Sequence, residues 1–316
     1  MSLRGDSLRT KEVDLTNLLG DSIDEITWAN DSERVLVKTN GEWVLVDLSN
    51  PKNSLKLNAT YAGEDKGFSK VVFANSAGDR LWAQRDDKVY AIHATSGDKK
   101  LQLVREKVEN FVADEQELMY VSTDKGHDKE QRAVYLFSVG NDEEAYCLQD
   151  IEGDSPVYLA LTSFADEKVM AVAQGNQLQV YEASDYPAST SGDWGGKLTV
   201  TKELSFNPKG NASISRNKEF VVFRENNKLA LLDVELMEVY EYDYNGGELQ
   251  WADDFMLALT EGEKLTVMDF DGTNVRELVS SAVSGFGATI TSNNRWLYYV
   301  VDNQNSGLSL MRERLN

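Results

Sequence analysis

A strand–turn–strand pattern recurs seven times along the chain, and this repeat constrains the fold more than any other feature. Each copy has two apolar runs rich in Val, Leu, Tyr and Trp, separated by a short polar turn. Such a pattern predicts a β-hairpin. Helical periodicity is essentially absent, so we predict an all-β chain. The first runs of the seven hairpins begin at Arg34, Arg80, Glu117, Lys168, Glu219, Phe255 and Arg295.

Two further strand patterns flank the hairpins, one before and one after. EITWAN ends at Asn30 before the first hairpin, and SLKLNATY begins at Ser54 after it. The four-strand unit repeats at intervals of 36 to 51 residues, measured between equivalent positions of successive hairpins. This period and strand count are typical of β-propeller blades. We therefore predict a seven-bladed β-propeller of four-stranded antiparallel blades.

The last copy has three strand patterns, of which the third begins at Gly307. A strand pattern with no other partner, KEVDLTNLL, runs from Lys11 to Leu19. An unpaired strand edge exposes hydrogen-bonding groups and favours aggregation, so we expect this N-terminal strand to close the last blade. Residues 1–10 are then predicted to be a leader or flexible tail, and residues 11–316 a single propeller domain.

The chain is strongly acidic, with 53 Asp and Glu residues against 32 Lys and Arg residues and a net charge of −21. This charge argues against nucleic acid as a partner, because nucleic-acid binding requires basic surfaces, and against docking on anionic lipid. An acidic surface is also a common means of keeping a protein soluble. The sequence contains no apolar stretch of 18 residues, so we expect no direct insertion of this segment into a membrane.

Cysteine and tryptophan point to packing rather than chemistry. Cys147 is the single cysteine and falls in the apolar pattern AYCLQDI, so we predict a small buried residue and no internal disulfide. Five tryptophans fall in strand patterns and are predicted to pack between blades: Trp28, Trp43, Trp82, Trp251 and Trp296.

We expect the segment to be part of a larger protein, with an extracytoplasmic or cell-surface location favoured over a cytoplasmic one.

Two segments resemble turns of TolB-like propellers, whose blades often begin with a W-S-P-D-G-like turn and end with D-x-D-G-x-x-x-x-x-L-T. WANDS, residues 28–32, matches the first pattern with Asn in place of Pro, and DFDGTNVREL, residues 269–278, matches the second. The chain is thus similar to the broad TolB-like and WD40-like class of propellers. TolB-like propellers commonly bind proteins or peptides, and some are sensor domains of envelope proteins, so the resemblance implies a binding role.

Residues suited to catalysis or metal binding are sparse. His93 falls in a strand and His127 in a loop, and no G-x-S-x-G motif is present, so we predict no catalytic residues. The histidines have no metal-ligand spacing, and DFDGTN, residues 269–274, lacks a glutamate in register to complete a calcium loop. We predict that this segment is a turn with Gly272 at positive φ, and that the protein holds neither metal nor cofactor.

Two groups of loop residues are candidates for binding. In a propeller, the turns between second and third strands and the connections between blades surround one mouth of the channel, where ligands usually bind. The insertion from Ser184 to Lys197 is long enough to be functional, and its Tyr186 and Trp194 are predicted either to anchor a protein or sugar or to fold back on the blade. Charged residues at loop tips are also common where the loop simply faces solvent and binds nothing. The channel-mouth candidates are Glu64, Asp65, Asp124, His127, Asp154 and Asn245.

Three functions stay open at this point. The lack of a catalytic constellation favours a non-catalytic propeller that binds a protein or peptide, as a monomeric, exposed domain of a larger bacterial envelope-associated protein. The acid surplus permits a carbohydrate-binding or glycan-hydrolysing propeller that uses paired carboxylates at the channel mouth. A structural spacer or oligomerisation domain is the third alternative.

Overall fold

The structure, a computed structural model, is almost entirely strand and turn. The predicted all-β class is therefore confirmed, and no helix in the described part of the chain has the length and apolarity needed to cross a lipid bilayer. The described residues are 11–13, 22–30, 33–62, 67–115, 117–122, 132–139, 145–184, 196–244, 248–280, 282–283, 286–291, 293–303 and 307–315.

Twenty-eight strands and two short helical turns make up the described structure. The N-terminal part contains a 3₁₀ turn (Pro51–Asn53), a π-helical turn (Asn58–Ala62) and nine strands: β1 (Lys11–Val13), β2 (Glu25–Trp28), β3 (Arg34–Thr39), β4 (Glu42–Asp47), β5 (Leu55–Lys56), β6 (Lys70–Phe73), β7 (Arg80–Arg85), β8 (Lys88–His93) and β9 (Gln102–Arg105).

The central part of the chain contributes twelve strands. They are β10 (Val108–Asp114), β11 (Glu117–Ser122), β12 (Ala133–Ser138), β13 (Tyr146–Asp150), β14 (Val157–Phe164), β15 (Glu167–Gln174), β16 (Gln177–Ala183), β17 (Lys197–Glu203), β18 (Ser213–Ile214), β19 (Phe220–Glu225), β20 (Lys228–Asp233) and β21 (Glu238–Asp243).

The C-terminal part contributes the last seven strands. They are β22 (Glu248–Trp251), β23 (Met256–Glu261), β24 (Lys264–Asp269), β25 (Arg276–Val279), β26 (Ala288–Ile290), β27 (Trp296–Asn303) and β28 (Gly307–Arg314).

These strands form seven antiparallel sheets of four strands each, as the repeat predicts. The first to sixth sheets take four consecutive strands each, from β2–β5 to β22–β25. The seventh sheet has the order β1-β28-β27-β26, so the N-terminal strand is its fourth strand. Lys11 lies opposite Arg312 and Val13 opposite Leu310 in this antiparallel pairing.

The hairpin turns follow from local sequence. Between β3 and β4, Asn40 and Gly41 both have positive φ, at 50° and 76°. Two consecutive positive φ values define the tight hairpin turn that matches the twist of the flanking strands, and Asn-Gly is the favoured sequence for it. The turn between β19 and β20 likewise has Asn226 at a φ of 50°.

The fourth strand of the first sheet is present but is shorter than the sequence predicts. SLKLNATY was expected to form the fourth strand of the first sheet, but β5 contains only Leu55 and Lys56, and Asn58–Ala62 turns into a π-helical segment. Side-chain bonds tie this turn to the start of β4 in place of regular strand pairing: Glu42 Oε1 accepts the amide of Asn58 at 2.6 Å, and Asn58 Nδ2 donates to the carbonyl of Gly41 at 2.8 Å. Such side-chain bonds to the backbone compete with strand pairing.

The chain groups into two compact units. The first contains Met1–Arg85, Ile92–Leu101 and Asn245–Asn316, and the second contains Asp86–Ala91 and Gln102–Tyr244. In the first unit, successive residues of β3 pack in opposite directions: Val35 and Val37 contact a cluster with Tyr298 of the seventh sheet, and Leu36 contacts a cluster with Leu81 of the second sheet. Burial on both faces explains the continuous apolar run of this strand.

The second unit follows the same rule. Met170 and Val172 of β15 belong to a cluster shared with the third sheet, whereas Val169 and Ala171 belong to a cluster shared with the fifth sheet. Because successive side chains of a strand point to opposite faces, one strand serves two neighbouring cores. We call the cluster shared by the fourth and fifth sheets, which includes Phe223 and Leu232, the fourth–fifth core.

The predicted tryptophan packing is confirmed where the first and second sheets meet. Trp43 is buried between them, and its indole Nε1 donates to the carbonyl of Phe68 at 3.1 Å. Trp28 packs against Tyr298, with ring centroids 5.7 Å apart. Cys147 is half-buried rather than buried, and desolvation raises the pKa of its thiol, so the nucleophilic thiolate is disfavoured.

Candidate functional site

The structure describes only one of the predicted binding residues. Asp154 is exposed in the connection between β13 and β14. The other channel-mouth candidates lie outside the described residues, as do Tyr186 and Trp194 of the insertion: Glu64, Asp65, Asp124, His127 and Asn245.

The connection that carries Asp154 is held by side chains of the third and fourth sheets. Arg132 Nη1 donates to the carbonyl of Ser155 at 2.7 Å, and Arg132 Nε donates to Glu109 Oε2, also at 2.7 Å. Gln174 Nε2 donates to the carbonyl of Glu152 at 2.6 Å. The backbone on both sides of Asp154 is therefore fixed, and its side chain is exposed to solvent.

Two asparagines connect the first strands of the third, fourth and fifth sheets. Asn110 Nδ2 donates to Asn211 Oδ1 at 2.7 Å, and Asn211 Nδ2 donates back to Asn110 Oδ1 at 2.9 Å. Asn110 also donates to the carbonyl of Val157, and Asn211 accepts from the amide of Leu159. Both amides use their donors and acceptors internally, so this network is structural.

An ion pair joins the ends of β10 and β14 to the turn between β18 and β19. Lys218 Nζ lies 2.8 and 2.7 Å from the two carboxylate oxygens of Asp114 and 3.4 Å from Ser163 Oγ. Neither charged side chain is more than 28% exposed. Since the lysine is committed to a bidentate contact within the protein, this cluster is structural and does not present a reactive group.

A cavity of about 270 Å³ lies between the first and second sheets, and sequence reasoning missed it. We call it the Arg34 cleft. Its wall combines charged, amide, hydroxyl and aliphatic groups, as expected for a small recognition pocket. The residues that line it are Arg34, Leu45, Asp47, Asn53, Leu55, Ala94 and Thr95.

Hairpin register and a tight turn position Arg34. Arg34 is directly opposite Asp47 in the pairing of β3 with β4. Its Nη1 donates to the carbonyl of Ala77 in the second sheet at 2.6 Å. Gly78 follows with a φ of +69°, and a Cβ there would lie 3.0 Å from Ala29 Cβ and 3.2 Å from Arg34 Cβ. Glycine therefore allows both the turn and its close approach to Arg34.

The carboxylates around Arg34 are held in their charged form. Burial opposes ionisation of Asp47, but hydrogen bonds from Ser49 and Asn50 and the charge of Arg34 outweigh it, so the pKa of Asp47 lies below its usual value. A hydrogen bond from Asn75 lowers the pKa of Asp79 against its desolvation, with further contributions from Arg34 and His93. Arg34 is thus close to two ionised carboxylates, of which Asp47 lines the cleft.

His93 stands beside the cleft but does not form a catalytic triad. Its Nε2 lies 3.4 Å from Thr95 Oγ1 and 3.7 Å from Asp79 Oδ2. A triad requires the nucleophile and the carboxylate on opposite ring nitrogens, so that one nitrogen takes the proton while the other is held by the acid. Here both groups face the same nitrogen. The arrangement suits hydrogen bonding to a ligand rather than activation of Thr95.

No metal centre is found within the described ranges, where no three His, Cys, Asp or Glu side chains are grouped closely enough to hold an ion. The DFDGTN segment is the turn that the sequence predicts. Gly272 has a φ of +80°, the Asp271 carboxylate accepts the amide of Thr273 at 3.0 Å, and Asn274 Nδ2 donates to Asp269 Oδ2 at 2.6 Å. These side chains therefore use their hydrogen-bonding groups within the turn itself.

A sequence signal for the Arg34 cleft exists in the repeat. The third strand ends in Asp47, Asp233 and Asp269 in three of the sheets, and each carboxylate accepts a hydrogen bond within the turn that follows. The hairpin register then places Arg34 opposite the first of these aspartates. The contact with Ala77 has no such signal, because it joins segments 43 residues apart.

Comparison with known proteins identifies the fold. No protein-family model matches the chain, and no curated protein matches it at a significant level. Among solved structures, the β-propeller domain of Cps50 (Swd1) from Myceliophteria thermophila is similar, with a TM-score of 0.60, 10% identity and coverage of 97% of this chain and 100% of that one.

A chain of the structure described as the Mitotic Checkpoint Complex is similar as well, with a TM-score of 0.57 and 13% identity. The match covers 98% of each chain. At such low identities, the likeness concerns the fold alone. Taken with the seven four-stranded sheets, it shows that the chain has a WD40-like β-propeller fold.

Proposed function

We propose that this protein is a non-catalytic scaffold that binds a protein or peptide, and that the Arg34 cleft is one of its contact sites. The observation that carries the proposal is the likeness along nearly the whole chain to two propellers, of which one belongs to a structure described as a complex. Propellers of this class are typically interaction scaffolds, although fold alone never assigns function.

The chemistry of the Arg34 cleft supports binding. Asp47, which lines the cleft, and Asp79, which also interacts with Arg34, are both ionised, so two negative charges accompany the one guanidinium. The apolar part of the cleft wall consists of Leu45, Leu55 and Ala94. A lysine or arginine side chain of a partner matches this combination, because its aliphatic stem covers apolar surface while its charged head contacts a carboxylate.

The wider context is also a proposal. We propose that residues 11–316 form a single monomeric domain, exposed as part of a larger bacterial envelope-associated protein. Asp154 and the other channel-mouth residues, together with Tyr186 and Trp194, remain proposed contact residues of that domain.

The test is capture by the purified full chain, followed by rebinding of the captured protein in pure form. Extracts of cell envelope and of cytosol are passed over the immobilised chain at physiological salt. Thr95→Trp fills the Arg34 cleft, and Thr201→Trp makes the same change on exposed β17 as a matched control. We expect Thr95→Trp to weaken rebinding at least about fivefold, as loss of a central contact does, and the control to bind as the parent does.

Failure has a clear form. If neither extract yields a protein that rebinds when purified, the scaffold proposal is wrong. If both variants bind like the parent, the Arg34 cleft is not the contact site. Turnover of a glycan that a single carboxylate-to-amide change abolishes would support the hydrolase alternative instead.

A further inference from the structure

Among the described strands, β21 pairs only with β20, and this pairing is more regular than that of the fourth strands in most other sheets. It pairs with β20 over six consecutive residues, from Lys228 opposite Asp243 to Asp233 opposite Glu238, without a bulge. The pairing of third and fourth strands is interrupted in the second, third, fourth and sixth sheets. A bulge twists an edge and disturbs its hydrogen-bonding groups, so an unbroken edge is the better template for another strand.

The chemistry of this edge is acidic and apolar. The strand reads EVYEYD, with three carboxylates and no basic residue. Tyr240 is 42% exposed, and Leu236 in the preceding turn is 60% exposed. Glu235 and Glu238 are exposed on either side of that turn. Natural sheet edges are commonly protected by lysine, and this one has no lysine along its length.

Internal contacts fix the edge in place. Val239 packs against the fourth–fifth core. Asp233 Oδ1 accepts the amide of Leu236 at 3.0 Å, and Glu241 Oε2 accepts the amide of Ser205 at 2.8 Å. The Tyr240 hydroxyl donates to the Glu238 carboxylate. A surface ordered before binding loses less conformational entropy when a partner docks.

We propose that the free edge of β21 binds an extended, basic peptide segment of a partner protein as an added fifth strand. The main chain of the segment pairs with β21, and its lysine or arginine side chains lie on the face of the strand that carries Glu238 and Tyr240. Their charged heads contact Glu235 and Glu238, and their aliphatic stems cover Tyr240. The net charge of −21 attracts such a segment over long range. This inference rests on the proposed scaffold function and names a second contact surface and its ligand class.

The probe is a capped octapeptide that alternates lysine with valine, titrated into the full chain at physiological salt. Two further peptides carry N-methyl groups on the odd or on the even residues. Because an added strand directs alternate amides toward its neighbour, we expect one methylated peptide to lose binding at least about tenfold and the other to bind as the parent peptide does. A charge-reversed peptide of glutamate and valine should not bind.

Protein variants locate the site independently. Glu235→Lys with Glu238→Lys should weaken binding at least about tenfold, which corresponds to about 1.4 kcal/mol. Glu203→Lys with Glu182→Lys applies the same charge change to β17 and β16 and should weaken it less than about twofold. Melting curves of all variants confirm that they fold.

The outcomes separate this inference from the proposed function. Equal losses in both charge variants, or indifference to N-methylation, would overturn strand addition at β21 even if a captured partner still binds the Arg34 cleft. Binding of the peptide with the predicted pattern supports the inference, and insensitivity of that binding to Thr95→Trp shows that the two surfaces are separate.

Discussion

Strands β17 and β21 are the fourth strands of consecutive sheets, and each contributes one valine to the same core. Val200 and Val239 both pack against the fourth–fifth core. Their edges nevertheless differ. The register of β17 shifts between the pairs made by Val180 and Tyr181, and its sequence KLTVTKE carries two lysines. The register of β21 is unbroken, and its sequence EVYEYD carries three acids.

This difference shows that anchoring and edge protection are independent properties of a strand. One half-buried valine on each strand supplies the attachment, whereas the bulge and the lysines decide whether another strand finds a suitable template. The fourth sheet has both protective features and the fifth has neither. The edge of β21 is therefore the place where we expect the fold to accept a partner strand.

The largest expected effect comes from exposing the edge of a third strand, β28, which β1 covers. Deletion of residues 1–19 removes β1 and leaves β28, a strand of eight residues, without its fourth-strand partner. We expect the melting temperature to fall by at least about 5 °C and the protein to self-associate through β28. Calorimetry and sedimentation velocity measure both effects.

Deletion of residues 1–10 is the matched control, because it keeps Lys11–Val13. It should melt and sediment like the parent. If the longer deletion does so too, an open edge in this fold causes no self-association. The difference between the edges of β17 and β21 would then not predict which of them accepts a partner strand.

A smaller effect tests the shared anchoring. Val200→Ala and Val239→Ala each remove two methyl groups from half-buried positions on the fourth–fifth core. We expect each change to lower the free energy of unfolding by about 1 kcal/mol, because half-burial reduces the loss found at fully buried sites. Chemical denaturation measures the loss. A loss for Val239→Ala that is several times larger would mean that β21 is anchored differently from β17.

The smallest effect concerns the aromatic side chain of β21. The hydrogen bond and charge of Glu238 raise the pKa of Tyr240 above its ordinary value. A raised pKa means that the neutral phenol is the favoured form, so its contribution to stability is present below the ordinary tyrosine pKa and is lost as pH rises through the raised value. Spectroscopic titration, with Tyr240→Phe to assign the signal, should show this pKa.

Two glutamate variants sharpen that measurement. Glu238→Gln should return the pKa of Tyr240 toward the ordinary value, because the amide carries no charge. Glu241→Gln alters the neighbouring carboxylate that accepts from Ser205 instead, and should leave the tyrosine signal where it was. An unchanged signal in Glu238→Gln would show that the acid does not hold this ring.

Much of the fold follows from patterns that are local in sequence. The turn at Asn40 and Gly41 needs two positive φ values, which this dipeptide tolerates well, and the alternation in β3 sends Val35 and Leu36 to opposite cores. The boundary after Lys56 was not predictable in this way. Asn58 bonds to Gly41 and Phe68, so contacts with distant segments end the strand.

The Arg34 cleft shows the same limit for the candidate site. The pairing of Arg34 with Asp47 lies within one hairpin and is predictable from its register. The rest of the cleft comes from Ala94 and Thr95 of the second sheet and from the turn at Ala77, which Gly78 allows to approach. Sequence alternation says which residues face a neighbour, but not which residues of that neighbour they meet.

The sequence by itself determined the number of sheets, the four strands in each and the hairpin turns, because each depends on residues that are close along the chain. Tertiary structure alone decided where the cleft opens, which fourth strands carry a bulge and which edge stays regular. A bulge shifts the register by a single residue, and its position depends on how side chains from separate segments pack around it. That packing is not encoded in any one repeat, and it distinguishes β21 from β17.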